Sequence, residues 1–283
     1  MIRFFARVVY ALDRLFPRAR VGGRGSKGAY SEWEYDEGKE LISRYAEQFG
    51  SLNGLSVLDV GCGLGGKTVA YTEGGAEAFG VDVSKEHIAA AVRFAASKGR
   101  KTHFVVGDAA LLPFTDRSFR FVVANDSMEH FSDPDRAMAD LSRILTFGGR
   151  LFLFFTPWWS PLGSHLYDYI RMPWCHLLLP ESVIEEVLRI VLRKRGERDA
   201  AEGAAALMAE YRSALNRITI GRYRRIVEGR GELETVFERL LPPKFKAFRF
   251  LTSLPSIGEF FTGTVVALLR KSDEAAAPVR HSP

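Results

Sequence analysis

The sequence predicts an α/β fold: a doubly wound, seven-stranded sheet closed by an antiparallel hairpin, with a helical insertion after the fifth strand. Three observations carry that expectation. First, Val57-Leu58-Asp59-Val60-Gly61-Cys62-Gly63-Leu64-Gly65-Gly66 runs from an apolar segment through an acid into glycines, after which Lys67-Thr68-Val69-Ala70-Tyr71 can begin a helix. That pattern is a buried strand, a tight turn and a helix N-terminus. Second, strand-like and helix-like segments alternate as far as Phe155, which calls for parallel strands. Third, two strand-like runs, residues 245–251 and 260–269, are separated by a loop alone, and neighbours without a crossover helix must be antiparallel.

Each element follows from local chemistry. Ile2, Phe5, Val9, Leu12 and Phe16 recur at helical spacing while Arg3, Arg7 and Arg14 share another face, so the chain opens with a basic amphipathic helix. Packing within the protein, as a lid over the active site, is its default role, and a membrane surface is the other. Glycines between 22 and 28 make a linker. Leu41, Ile42, Tyr45, Ala46 and Phe49 then give a helix ending at Gly50. The second strand is 78–82, Ser84 caps a helix running to about Lys98, and 102–106 is the third strand. The fourth strand is 119–124, and Asp133-Pro134 starts a helix that stops near Gly148-Gly149. Residues 150–155 form the fifth strand.

The alternation breaks at Pro157. Helices are expected near 181–195, 204–215 and 220–228, followed by one at 233–241. The resulting domain reading is an N-terminal helix and linker (1–28), a core (29–156), an insertion acting as a substrate lid (157–229), the rest of the core (230–271) and a disordered tail (272–283).

At 283 residues the chain has room for one large domain with a sizeable insertion, and 47% hydrophobic with 26% charged residues is ordinary for a globular protein. The net charge of +5 is unevenly spread. Before Ala29 seven basic residues, Arg3 to Lys27, are opposed by Asp13 alone, and further basic stretches lie at 189–198 and 222–230. Solvated helix faces explain these most simply; anionic lipid or nucleic acid are the alternatives. Cys62 and Cys175 imply no disulfide framework and fit a reducing cytoplasm. No apolar run approaches membrane-spanning length, and the first residues lack a cleavable signal pattern.

Glycine spacing alone does not separate two cofactor classes. Gly61, Gly63 and Gly66 satisfy the dinucleotide fingerprint, with Asp82 about twenty residues on, where a ribose-binding acid belongs. Asp59 decides between them. A carboxylate beside the loop repels a pyrophosphate and attracts a sulfonium cofactor that carries an amino group. The run Leu-Asp-Val-Gly-Cys-Gly-Leu-Gly resembles the first motif of class I S-adenosylmethionine (SAM)-dependent methyltransferases, and the likeness continues from Leu55 to Phe155 and in the closing hairpin.

That resemblance implies a Rossmann-like fold, SAM as cofactor and methyl transfer as the reaction. It further implies a cofactor site made of Asp59, Gly61, Cys62, Gly63, Asp82, Val83, Asp108, Ala109 and Asn125. Asp82 would accept the ribose hydroxyls, Asp108 the adenine amino group, and Ala109 would donate its amide; the alternative for Asp108 is a turn aspartate. Arg120 stands where the family commonly has an aspartate, at the strand end away from the cofactor.

Methyl transfer is an in-line displacement from a good leaving group, so positioning dominates, and a hydroxyl acceptor gains from a base. Among the six histidines, His130, His165 and His176 are the candidates. On a helix, His165 and Asp168 would share a face and the carboxylate would orient the imidazole. Trp158, Trp159, Tyr167, Tyr169 and Trp174 either wall a pocket for a flat acceptor or form a packing seam. The sequence shows no strong metal signature, Asp126 lacking an evident partner carboxylate for a magnesium site, and no recognisable nucleic-acid module. The expected activity is therefore O-methylation of a hydroxylated, aromatic or otherwise apolar small molecule. A membrane-associated lipid or quinone acceptor, and an NAD(P)-dependent oxidoreductase, are the alternatives.

Overall fold

In the computed structural model, residues 1–17, 26–243, 251–254 and 257–272 are described. Strand β1 (Ser56–Val60) is buried on both faces, as a central parallel strand must be, with Val57, Leu58 and Val60 at most 1% exposed. It pairs in parallel with β2 (Glu77–Asp82) on one side and β4 (Phe119–Asn125) on the other. Strand β3 (His103–Val106) extends the sheet beyond β2, and β5 (Leu145–Phe155) extends it beyond β4, again in parallel. With β6 (Leu233–Leu241) and β7 (Thr264–Lys271) the order is β3-β2-β1-β4-β5-β7-β6. The strand order reverses between β1 and β4, and a ligand crevice opens at such a switch point, outside the carboxyl ends of the strands.

The last two strands run in opposite directions. The Gly263 amide donates to the Leu241 carbonyl (2.7 Å), the Ser272 amide donates to the Glu232 carbonyl (2.9 Å), and Arg270 pairs with Glu234 (2.7 Å). As one strand climbs from 232 to 241, its partner descends from 272 to 263. A seven-stranded mixed sheet closed by an antiparallel hairpin results.

Several boundaries differ from the sequence expectation. Residues 233–241 are the edge strand β6, not a helix. Leu233, Val236, Phe237, Leu240 and Leu241 have helical spacing, but pairing with β7 overrides it, and Thr235-Val236-Phe237 suits a strand. The crossover helix between β5 and β6 is instead α10 (Ile220–Glu228), which the sequence reading had placed in the insertion. The strand expected at 245–251 falls outside the described residues up to 250, and Leu251–Ser253 is a 3-10 turn. Phe260 lies in another 3-10 turn, Gly258–Phe261, ahead of β7. Helix α6 (Pro134–Ile144) stops before Gly148, and β5 begins at Leu145 with an irregular register between Phe119 and Phe121. Buried Lys271 donates to the carbonyls of Ser142 (2.7 Å) and Leu145 (3.1 Å), satisfying acceptors at that helix end.

The chain divides into two compact units. The larger comprises residues 22–155, 221–239 and 266–283 and holds most of the sheet. Its helices are α2 (Lys27–Arg44), α3 (Ala46–Phe49), α4 (Gly66–Glu73), α5 (Lys85–Ser97), α6 and α10. Local capping follows the sequence: Ser84 Oγ accepts from the His87 amide (3.2 Å), and Asp133 Oδ1 from the amides of Asp135 and Arg136 (both 3.1 Å). Helix α2 begins well before Leu41, taking Lys27 and Gly28 out of the expected linker.

The smaller unit comprises residues 1–21, 156–220 and 240–265. Here α1 (Ile2–Asp13) packs with α7 (Cys175–Leu178), α8 (Glu181–Lys194) and α9 (Ala200–Ser213) around Ile184, Val187, Leu188 and Met208, to which α1 contributes Ala6 and Val9. Asp13, fully buried, anchors the helix. Its Oδ1 accepts from the amides of Arg171 (2.5 Å) and Met172 (2.7 Å), and its Oδ2 accepts from the Arg14 guanidinium (2.6 Å).

Candidate functional site

The glycine turn after β1 forms because its backbone takes conformations that side chains resist. Gly61, Gly63 and Gly65 have φ of 74°, 53° and 81°. A Cβ on Gly61 would also stand 2.5 Å from the Ser127 Cβ. The amides of Gly61 and Cys62 donate to the Val81 carbonyl (2.8 and 3.0 Å), which pins the turn to the end of β2. There Asp82 Oδ2 accepts from the Gly63 amide (3.0 Å) and Oδ1 from the Ser84 amide (2.9 Å). Each oxygen is thus oriented; Oδ1 also faces the His87 Nδ1 at 3.3 Å, and Oδ2 keeps a second lone pair for a ligand hydroxyl.

Helix α2 closes over this turn from above. Its backbone passes so near Gly66 that an added Cβ would lie 2.3 Å from the Ser31 carbonyl oxygen, and one on Gly38 would lie 2.9 Å from the Ala70 Cβ. The close approach brings Tyr30, Trp33 and Glu34 to a cleft of about 370 Å³, shared with Asp59, Gly61, Cys62, Gly63, Lys67, Asn125 and Asp126. Lys67 and the α2 residues escaped the sequence reading. Lys67, in the first turn after the glycines, was open to detection. Glu34 had no local signal, because tertiary packing alone places it there.

The acids of the cleft are arranged around Lys67, and Lys27 also lines it. Asp59, 2% exposed, accepts from the Thr68 hydroxyl at 2.6 Å. Burial pushes its carboxyl up to about 6, with Asp82 adding and Thr68 and Lys67 opposing. Burial likewise raises Glu34 to about 7, reinforced by Asp59 and Asp126 and opposed by Lys67 and the Gly66 amide. Glu34 Oε2 is buried without a hydrogen-bond partner. Lys67 Nζ donates to Asp126 Oδ2 (3.0 Å), which also accepts from Asn125 Nδ2 (2.6 Å). Burial disfavours the lysine charge, but Asp126, Glu34 and Asp59 together hold it above the ordinary range.

An orphaned carboxyl oxygen beside a second buried acid suits a ligand ammonium, and Lys67 suits a carboxylate. The cleft thus fits the zwitterionic end of an amino-acid cofactor such as SAM. A pyrophosphate would face Asp59, Glu34 and Asp126 together.

The structure brings Asp59, Gly61, Cys62, Gly63 and Asn125 into this cleft and bonds Asp82 to its turn. Val83, 67% exposed, and Asp108 and Ala109 lie just past the carboxyl ends of β2 and β3. Asp108 Oδ1 accepts from the Ala110 amide (2.9 Å), so it does close a turn.

The candidate histidines come from different parts of the chain. His130 is exposed and ends the 3-10 turn Met128–His130 after β4, in the larger unit. His165 and His176 belong to the smaller unit. The helix expected to align His165 with Asp168 is not formed. His165 is left-handed (φ 56°), ahead of a single 3-10 turn, Leu166–Asp168, and the Asp168 carbonyl accepts from Arg195. His176 Nε2 donates to the Trp158 carbonyl (2.8 Å) and the ring meets Trp158 edge-on at 4.6 Å. Its Nδ1 is buried without a partner, and burial lowers its basicity. Trp158 and Tyr169 pack on the core of this unit, and Trp174 Nε1 donates to the Phe260 carbonyl (3.0 Å). Trp158 and Tyr169 of the aromatic stretch thus serve packing within the unit.

Fold and cleft together define a Rossmann-like protein built to hold a sulfonium amino-acid cofactor. Residues 58–153 match the methyltransferase domain family. An uncharacterized methyltransferase of Mycolicibacterium vanbaalenii is 30% identical over 220 residues, covering 77% of this chain and 76% of that one. A ubiquinone biosynthesis O-methyltransferase of Coxiella burnetii is 30% identical over 139 residues, 49% of this chain and 58% of its own. The crystal structure of YcgJ from Bacillus subtilis superposes with a TM-score of 0.54 at 18% identity, covering 84% of this chain and all (100%) of that one, a likeness of fold. The chain belongs to the class I SAM-dependent methyltransferases. Among the described residues no helix is long and apolar enough to cross a membrane.

Proposed function

We propose that the protein methylates a hydroxyl oxygen of an aromatic or otherwise apolar small molecule, using SAM held by its methionine end between Glu34, Asp59 and Lys67. The observation that carries the cofactor half of this reading is the orphaned Glu34 carboxyl oxygen, buried in a cleft that also holds Asp59 and Lys67. Similarity to the ubiquinone biosynthesis O-methyltransferase supports a hydroxyl acceptor of apolar character.

SAM supplies an activated methyl group on a neutral leaving group. The chain positions it: Glu34 and Asp59 meet the ammonium, Lys67 the carboxylate, and Asp82 the ribose hydroxyls. Asp108 and Ala109 take the adenine edge, with Val83 beside it. His165 assists removal of the acceptor proton, and its left-handed backbone supports that role, because strained non-glycine conformations gather at functional sites.

Two results test the cofactor half. Asp82→Ala removes an oriented acceptor from both ribose hydroxyls, a loss of roughly 1.5–3 kcal/mol. SAM affinity by calorimetry should fall about one to two orders of magnitude with the fold preserved; unchanged affinity would place the ribose elsewhere. The second concerns pH. Glu34 stays protonated up to about 7, so an ammonium that pairs with it must expel that proton. Affinity should rise between roughly pH 5.5 and 7.5, with proton release seen as a buffer-dependent binding enthalpy, and Glu34→Gln should flatten the rise. For folding of the free protein the sign is opposite. With its pKa raised from 4.5 to about 7, Glu34 contributes stability fully below 4.5 and loses it as pH climbs through 7.

A further inference from the structure

Helix α1 has two apolar faces, and core packing accounts for one of them. Ala6, Val9 and Asp13 turn inward and are at most 3% exposed. Phe4, Val8, Leu12 and Leu15, spaced as one stripe along the helix and the turn after it, are 73%, 40%, 48% and 79% exposed. Arg3 and Arg7 border that stripe. With Arg193 and Lys194 at the end of α8 they line a shallow cleft of about 250 Å³, also lined by Ile190 and one acid, Glu186. Glu186 is already engaged by Arg189 at 3.2 Å and, more loosely, by Arg3 at 3.9 Å.

We propose that the outer face of α1 and the end of α8 form a docking surface for an anionic lipid bilayer. Four exposed apolar side chains on one stripe, flanked by four cations, is the arrangement of a helix that lies in a membrane interface. The stripe enters the acyl boundary while the arginines extend their charged ends to the lipid phosphates. Charge complementarity selects this occupant: the surface carries cations over a single, already paired acid. Asp13 and the buried face fasten α1 to its own unit, so the outer face is presented as a fixed ridge.

The test is co-sedimentation of the full-length protein with vesicles of phosphatidylcholine alone or mixed with phosphatidylglycerol. Binding to the anionic vesicles that weakens with salt, and little binding to the neutral ones, is the expected result. The double variant Phe4→Glu/Leu15→Glu should abolish it. Each cation near an anionic surface is worth about a fivefold change in partitioning, so Arg193→Gln/Lys194→Gln should weaken it roughly 25-fold. SAM binding by calorimetry, unchanged in both variants, confirms that they fold. The proposal is overturned if the protein ignores anionic vesicles at low salt, or if Phe4→Glu/Leu15→Glu binds them normally. It is equally overturned if the protein sediments as a dimer that this variant dissociates, since the stripe then belongs to a second copy.

Discussion

Turnover is expected to fall roughly a hundredfold or more when His165 is replaced by alanine, the usual worth of a general base, while SAM affinity barely changes. The loss should shrink at high pH, where the acceptor hydroxyl ionises unaided. His165 stands in a left-handed conformation, so alanine alters the backbone as well as the imidazole. Asparagine separates the two effects, because it tolerates that conformation but takes no proton. His165→Asn should therefore be as inactive as His165→Ala. Near-normal turnover of the asparagine variant would remove His165 as the base. If the equivalent change at His130 then abolished activity, the role would pass to that residue. His176 is the weaker rival, since its Nε2 is committed to the Trp158 carbonyl.

Asp13→Ala should destabilise the smaller unit by about 3–5 kcal/mol, because it strands two part-buried amides and a guanidinium that now share one buried carboxylate. Asp13→Asn should cost less, as its carbonyl oxygen can still accept from the amides of Arg171 and Met172. Three of the four tryptophans, Trp158, Trp159 and Trp174, lie in this unit, so urea unfolding followed by fluorescence reports mainly on it. A shift in that transition of under about 1 kcal/mol would show that Asp13 is not the anchor of α1.

What could be read from the sequence, and what could not, divides along physical lines. The strand-turn-helix at Val57–Tyr71 was legible because burial on both faces and the backbone demands of glycine leave direct marks on residue type. Helix α10 was found with its limits intact, yet its role as the crossover was not, because that depends on what β6 does. Leu233–Leu241 carries helical periodicity and becomes a strand only through its partner, β7. Glu34 is a tertiary residue in the same sense. Its place in the cleft depends on Gly66 and Gly38 admitting the backbone of α2, and nothing near Glu34 announces that approach. The expected pairing of His165 with Asp168 assumed a helix that a left-handed residue interrupts.

The most direct test of the proposed activity is transfer of an isotopic label. The purified protein is incubated with SAM carrying a trideuterated methyl group and a panel of hydroxylated apolar acceptors, phenolic and aliphatic, and products are read by mass spectrometry with fragmentation. The account predicts enzyme-dependent appearance of the intact labelled methyl group on an acceptor oxygen, reduced in the Asp82→Ala variant at limiting SAM. Label delivered only to nitrogen, carbon or sulfur acceptors, with every hydroxyl left unmodified, would contradict it.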